Sequence, residues 1–68
     1  MKTYEIIYRV NGGKEEMTLR FKGDRQELID TLKYMKNESY YDITVEKVYS
    51  VNKNEIYISI VPPIKVRN

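Results

Sequence analysis

Two stretches near the start of the chain alternate apolar and polar residues with period two. Across residues 4–10, Tyr4, Ile6, Tyr8 and Val10 fall on one face, with Glu5, Ile7 and Arg9 on the other. Across residues 15–22, Met17, Leu19 and Phe21 oppose Glu16, Thr18, Arg20 and Lys22. Such alternation marks half-buried strands. Asn11-Gly12-Gly13-Lys14 between them is turn chemistry, which joins the two as a hairpin. Charge selects the register. With Gly12-Gly13 at the centre of the turn, Arg9 faces Glu16 and Glu5 faces Arg20. On the other face Tyr8 meets Met17, Ile6 meets Leu19 and Tyr4 meets Phe21. With Asn11-Gly12 at the centre, Arg9 would face Lys14 and Tyr8 would face Glu15. Each cross-strand pair contributes roughly 0.2–1 kcal/mol and like charges reverse the sign, so the Gly-Gly register is expected.

The period then changes. After Gly23, Asp24 is a good N-cap, and Glu27 three residues later completes a capping-box pattern. Leu28, Ile29, Leu32 and Met35 recur at helical spacing, with Asp30, Lys33 and Asn37 turned away. Lys33 and Lys36 lie near the C-terminal end, where the helix dipole favours cations. The pattern predicts a helix over about 24–37. Alternation resumes over 43–51, Asn52-Lys53-Asn54 turns the chain, and 55–61 reads as a strand with Ile56, Ile58 and Ile60 on one face. Pro62-Pro63 stops that strand, because proline donates no ladder hydrogen bond. Residues 62–68 are a tail in which Ile64 and Val66 alternate with Lys65 and Arg67. The tail could add to a sheet edge of a second molecule, although a frayed terminus is the simpler expectation.

The resulting order is ββαββ, an α+β fold in which two hairpins (strands about 3–10, 15–22, 43–51 and 55–61) form one four-stranded sheet with a single helix on one face. A helix of about 14 residues is roughly 21 Å long, enough to cover one face only. The second strand, with charges at Glu16, Arg20 and Lys22, suits an edge. In the third strand, simple alternation turns Lys47 inward, which points to an edge or to a bulge. The first and fourth strands carry apolar residues outward, at Ile7 and at Tyr57 and Val61. Together these favour the strand order 2-1-4-3. With a right-handed crossover, strands 2 and 3 run parallel, and so does the central pair 1 and 4.

Length and composition narrow the chemistry. A chain of 68 residues makes one domain, and at this size only about 60% of the unfolded surface is buried, so stability is marginal. There is no Cys and no His. Disulfides, zinc fingers, thiol redox chemistry and histidine-based nucleophile systems are therefore excluded by inventory. The chain has no apolar run of signal-peptide or membrane-spanning length, which makes the cytoplasm the expected location and a membrane role unexpected. The net charge is only +2. By segment it is +2 over 1–23, −1 over 24–38, −1 over 39–55 and +2 over 56–68, unlike the concentrated basic stripe of a dedicated nucleic-acid binder.

The remaining chemical candidates each have a plainer structural role. Glu15 and Glu16 are adjacent on a strand and so point to opposite faces, Asp24 and Glu27 belong to the helix cap, and no carboxylate pair has hydrolytic geometry. Gly12-Gly13-Lys14 joins antiparallel strands instead of leading into a helix, as a phosphate-binding loop must. Lys47 reads better as a lysine with its stem on apolar surface than as a catalytic one. No enzyme, cofactor or metal site is expected. The open sheet face is the best functional candidate. It should carry Thr3, Glu5, Ile7, Arg9, Glu16, Thr18, Arg20 and Lys22 from the first hairpin, and Thr44, Glu46, Tyr57, Ser59 and Val61 from the second. Ile7, Tyr57 and Val61 give it a mildly apolar centre with a charged rim, the pattern of an interaction patch. Ile7, Arg9, Thr18, Arg20, Tyr57, Ser59 and Val61 are the candidate contact residues. A protein partner or self-association as a homodimer is favoured over nucleic acid. RNA-binding sheets present several exposed aromatics with basic neighbours, whereas here Tyr57 stands alone and Glu5, Glu16 and Glu46 would repel phosphate.

Lys (8), Ile (8), Tyr (7) and Asn (5) make up 28 of the 68 residues and there is no Ala, a bias that implies an AT-rich genome. With this composition, the segments Asn11-Gly12-Gly13-Lys14 and Tyr40-Tyr41-Asp42-Ile43 and its ββαββ order, the chain resembles the small uncharacterised proteins of phages and conjugative elements in low-GC Gram-positive bacteria. That resemblance implies an accessory, host-directed binding role and assigns no functional residue.

Overall fold

The computed structural model describes residues 2–60. Strand β1 spans Lys2–Val10, β2 Met17–Gly23, helix α1 Arg25–Lys33, β3 Ile43–Val51 and β4 Tyr57–Ser59. The strands form one antiparallel sheet, with the helix against one face.

The helix begins where the sequence predicts. The Asp24 carboxylate accepts a hydrogen bond from the Glu27 backbone N–H at 2.8 Å, and the Glu27 carboxylate accepts from the Asp24 N–H at 3.4 Å. This reciprocal cap satisfies two donors that a helix start otherwise leaves unpaired. Asp24→Ala is expected to destabilise the fold by about 1 kcal/mol, measured as a lowered urea midpoint with an unchanged slope. The far end differs from the expected plain helix to residue 37. After Lys33 the backbone widens into a π-helical turn over Tyr34–Glu38, closed by the Ser39 N–H donating to the Tyr34 carbonyl at 2.8 Å.

Leu28, Leu32 and Met35 form the buried stripe, with Ile29 half-buried at its flank. They pack on Tyr4 and Ile6 of β1 and Val48 of β3, and Tyr8, Phe21, Ile43, Val45 and Ile60 close the margins. Ile6 and Leu28 are wholly buried.

The first hairpin combines the two registers weighed from the sequence. The ladder pairs Tyr8 with Met17, Ile6 with Leu19, Glu5 with Arg20 and Tyr4 with Phe21, the expected Gly-Gly register. The turn itself is centred on Asn11-Gly12 instead. Asn11 and Gly12 have φ of 54° and 69°, and the Gly13 N–H donates to the Val10 carbonyl at 2.9 Å. Positive φ at both central residues is the type I′ geometry, whose twist matches that of the flanking strands. The mismatch between turn and ladder is absorbed by residues 14–16, which leave the ladder. Arg9 holds them in place: its guanidinium donates to the carbonyls of Gly13 and Lys14 and meets Glu16 at 3.4 Å.

The strand order is β2-β1-β3-β4, which corrects the expected 2-1-4-3. The central pair is β1 and β3, and it is antiparallel. The reason lies at Lys47. The β1–β3 register shifts between Ile7 and Tyr8: Ile7 pairs with Lys47, and Tyr8 with Val45, so Glu46 is an extra residue. The bulge reverses the phase of the strand. Ile43 and Val45 face the helix before it and Val48 after it, while Lys47 shares the outer face with Ile7. Lys47 therefore gives no ground for placing β3 at an edge. β3 has apolar residues on both faces and suits the interior of the sheet. β4, three residues long and with each of them solvent-exposed, is the edge. The fourth strand is accordingly shorter than the expected 55–61; Val61 and the tail 62–68 lie outside the described residues.

Candidate interaction face

The face turned away from the helix is built by the strand pairings. β1 contributes Thr3, Glu5, Ile7 and Arg9, β2 Thr18, Arg20 and Lys22, and β4 Tyr57 and Ser59. The bulge adds Tyr49 and Val51 from β3, paired to Glu5 and Thr3. Val51 is buried on this face and Tyr49 half-buried. Tyr57 stands edge-on to Tyr49, with ring centroids 5.6 Å apart at 85°. The apolar centre is thus Ile7, Tyr49, Val51 and Tyr57.

Charge is organised in two groups around that centre. Arg9 donates to Glu46 at 2.6 Å and lies 3.4 Å from Glu16. Arg20 meets Glu55 at 2.9 Å and Glu5 at 3.7 Å, and the Tyr57 hydroxyl donates to Glu5 at 3.0 Å. Glu5 is the most sheltered carboxylate of the face, with 13% of its side chain exposed. It sits between a cation from one edge strand and a phenol from the other.

Glu55 reaches Arg20 because of the β3–β4 turn. The Asn52 side-chain oxygen accepts from the N–H groups of Asn54 (2.8 Å) and Ile56 (3.1 Å), and the Asn52 carbonyl accepts from the Glu55 N–H at 2.9 Å. This winding sets Glu55 at φ 59°, a left-handed conformation uncommon for a glutamate. Thr3, Arg20, Phe21, Lys22 and Glu55 then line an open hollow at the end of the sheet.

Protonation follows the same contacts. The hydrogen bond to Glu55 raises the Arg20 pKa above its ordinary value against an opposing effect of desolvation, so this guanidinium stays charged. The hydrogen bond to Glu5 raises the Tyr57 phenol, with desolvation and the Glu5 charge adding to it and Arg20 opposing. A phenol whose pKa is higher folded than unfolded stabilises the fold below the unfolded value near 10. That contribution disappears as pH rises through the folded value. The Tyr57 phenolate is expected to form at higher pH in the native chain than in the Glu5→Gln variant, read from ring-carbon NMR shifts. Identical midpoints would rule the contact out in solution.

The structure thus brings Ile7, Arg9, Arg20, Tyr57 and Ser59 to one face, with Thr18 at its β2 margin. Val61 is outside the described residues. Tyr49 and Val51 are the members that alternation alone misses. The inward Lys47 was the available signal, since a bulge there reverses the facing of every later residue. Of the other tyrosines, Tyr4 is core, and Tyr34 (57%), Tyr40 (92%) and Tyr41 (55%) are exposed outside the strands. Tyr40 and Tyr41 stack edge-on at 5.1 Å.

Among the described residues no group of three or more carboxylates could hold a metal ion. None of the helices there is long and apolar enough to cross a membrane. Comparison with protein-family models, curated proteins and solved structures finds no match for the chain.

Proposed function

We propose that the chain is a small, non-catalytic protein-interaction module that works through its open sheet face or a sheet edge. The observation that carries this reading is the pairing of charge on the face. Both of its arginines already meet carboxylates, Arg9 at Glu46 and Arg20 at Glu55. To reach either arginine a phosphate backbone would have to displace those carboxylates, which leaves Lys22 and Lys47 as the cations of the face with no ion pair among the described residues. A protein surface instead gains from the part-exposed apolar centre of Ile7, Tyr49 and Tyr57, set around the buried Val51 and rimmed by charge. The composition and the ββαββ order support an accessory role in a mobile genetic element of an AT-rich Gram-positive host, in the cytoplasm.

An amide NMR spectrum titrated with mixed-sequence DNA and RNA at low and moderate salt tests the choice. The spectrum around Arg9, Arg20 and Tyr57 is expected to stay unchanged. Shifts there that vanish with salt would replace this reading with a nucleic-acid one, because counterion release makes phosphate binding steeply salt-dependent. Arg20→Glu should then abolish them.

A further inference from the structure

The two edges of the sheet are guarded differently. β2 carries Thr18, Arg20 and Lys22 along its outer side, and a two-fold pairing of β2 with itself would set these cations against their own copies. β4 and its continuation, Ile56-Tyr57-Ile58-Ser59-Ile60, bear no charge. The neighbouring Glu55 is held by Arg20.

The backbone of β4 has a definite outward side. The Asn52 N–H donates to the Ile56 carbonyl at 3.1 Å and the Ile60 N–H donates to the Val48 carbonyl at 3.0 Å, with Ser50 paired to Ile58 between them. Hydrogen-bonded and non-bonded positions alternate along an antiparallel ladder. Ile56, Ile58 and Ile60 therefore turn their backbone groups toward β3. Tyr57 and Ser59 turn their N–H and C=O groups away from the sheet, where nothing among the described residues pairs with them. On the helix side of the same strand Ile56 is 56% exposed and Ile58 55%, whereas Ile60 packs on the core.

From this edge we infer that β4 pairs antiparallel with β4 of a second copy, across a two-fold axis at Ile58. The register follows from the outward groups. Tyr57 and Ser59 of one copy exchange hydrogen bonds with Ser59 and Tyr57 of the other. Ile58 lies opposite its own copy, and Ile56 opposite Ile60. On the helix side three isoleucines from each copy make one apolar strip that joins the two cores. The absence of charge is what fits a second copy: a two-fold axis sets each residue near its own kind, which an uncharged strip tolerates. The sheet becomes eight-stranded with β4 at its centre. One strand pair buries less than the ~1,200 Å² of a standard interface, so the dimer is weak and depends on concentration.

This inference rests on the interaction-module reading and names its edge; the nucleic-acid titration tests that reading and dimerisation tests the edge, so the two fail separately. The full chain has no cysteine, which makes single-thiol variants unambiguous. Opposed non-bonded residues have Cα atoms about 4.5 Å apart, within disulfide range. Ile58→Cys is expected to oxidise to a covalent dimer at least about ten-fold faster than the β2 control Lys22→Cys; equal rates would overturn the inference. Ile58→Lys places like charges at the axis, and should be monomeric by sedimentation at concentrations where the natural chain dimerises, with an unchanged far-ultraviolet spectrum. Hydrogen exchange separates the occupants of the edge. Slowing of the Tyr57 and Ser59 amides that increases with protein concentration supports the dimer. Slow exchange at every concentration would assign the edge to residues 61–68 of the same chain, and fast exchange at every concentration would leave it open; either overturns the inference.

Discussion

Leu28→Ala is expected to leave much of the protein unfolded at 37 °C. Leu28 is wholly buried at the centre of the helix stripe, against β1 and β3. Truncating such a leucine removes its transfer free energy and leaves a cavity, at a cost of about 2–5 kcal/mol. A core of this size rarely supplies more than roughly 3–5 kcal/mol in total. Few neighbours can collapse into the space, because Ile6 and Val48 are anchored in strands. Urea titration followed by far-ultraviolet circular dichroism measures the loss. A cost below about 1 kcal/mol would mean that the helix does not pack on the sheet through Leu28.

The second large effect separates two single-residue deletions in β3. Glu46 is the extra residue of the bulge. Without it, Val45, Lys47 and Val48 follow in plain alternation and each keeps its face. The deletion loses the Arg9–Glu46 ion pair, an exposed contact worth at most about 1 kcal/mol, and the chain should still fold. Deletion of Tyr49, three residues on, has no bulge to absorb it. Ser50 moves to the outer face, Val51 to the inner, and the register with β4 slips by one. A one-residue slip exchanges the faces of every residue it moves, and the chain should not fold. Circular dichroism and amide NMR dispersion distinguish the outcomes. Equal tolerance of both deletions would mean that the phase reversal at Glu46 does not exist.

The same bulge explains how far the fold was legible in the sequence. Local chemistry could be read directly. Asp24 and Glu27 cap the helix as their spacing implies, and charge and apolar pairing predicted the β1–β2 ladder down to Tyr8 and Met17. The Asn11-Gly12 turn and the Gly-Gly ladder exclude each other only if one register serves both turn and strands. Residues 14–16 let each have its own geometry. Strand order was less legible because it depends on which faces are apolar, and one extra residue reverses that assignment for everything after it. Lys47 breaks plain alternation, which an edge position and a bulge both explain, and the order 2-1-4-3 follows only from the edge. Without the bulge, alternation turns Tyr49 and Val51 inward and off the candidate face. Arg20 and Glu55 lie 35 residues apart, and no local pattern connects them; only the closed sheet and the Asn52 turn bring them together.

The central position of β1 also sets an order of events in folding. β1 and β2 are neighbours in sequence with a preformed turn between them, and a hairpin of this kind closes in about 1–10 μs. The other side of β1 must wait for β3, because Thr3 pairs with Val51 and Ile6 with Val48. Until the helix and β3 have arrived, the hairpin presents Tyr4, Ile6 and an unpaired strand edge to its surroundings. The vulnerable species is therefore the free hairpin, and refolding at higher protein concentration should increase aggregation without changing the stability of the finished protein.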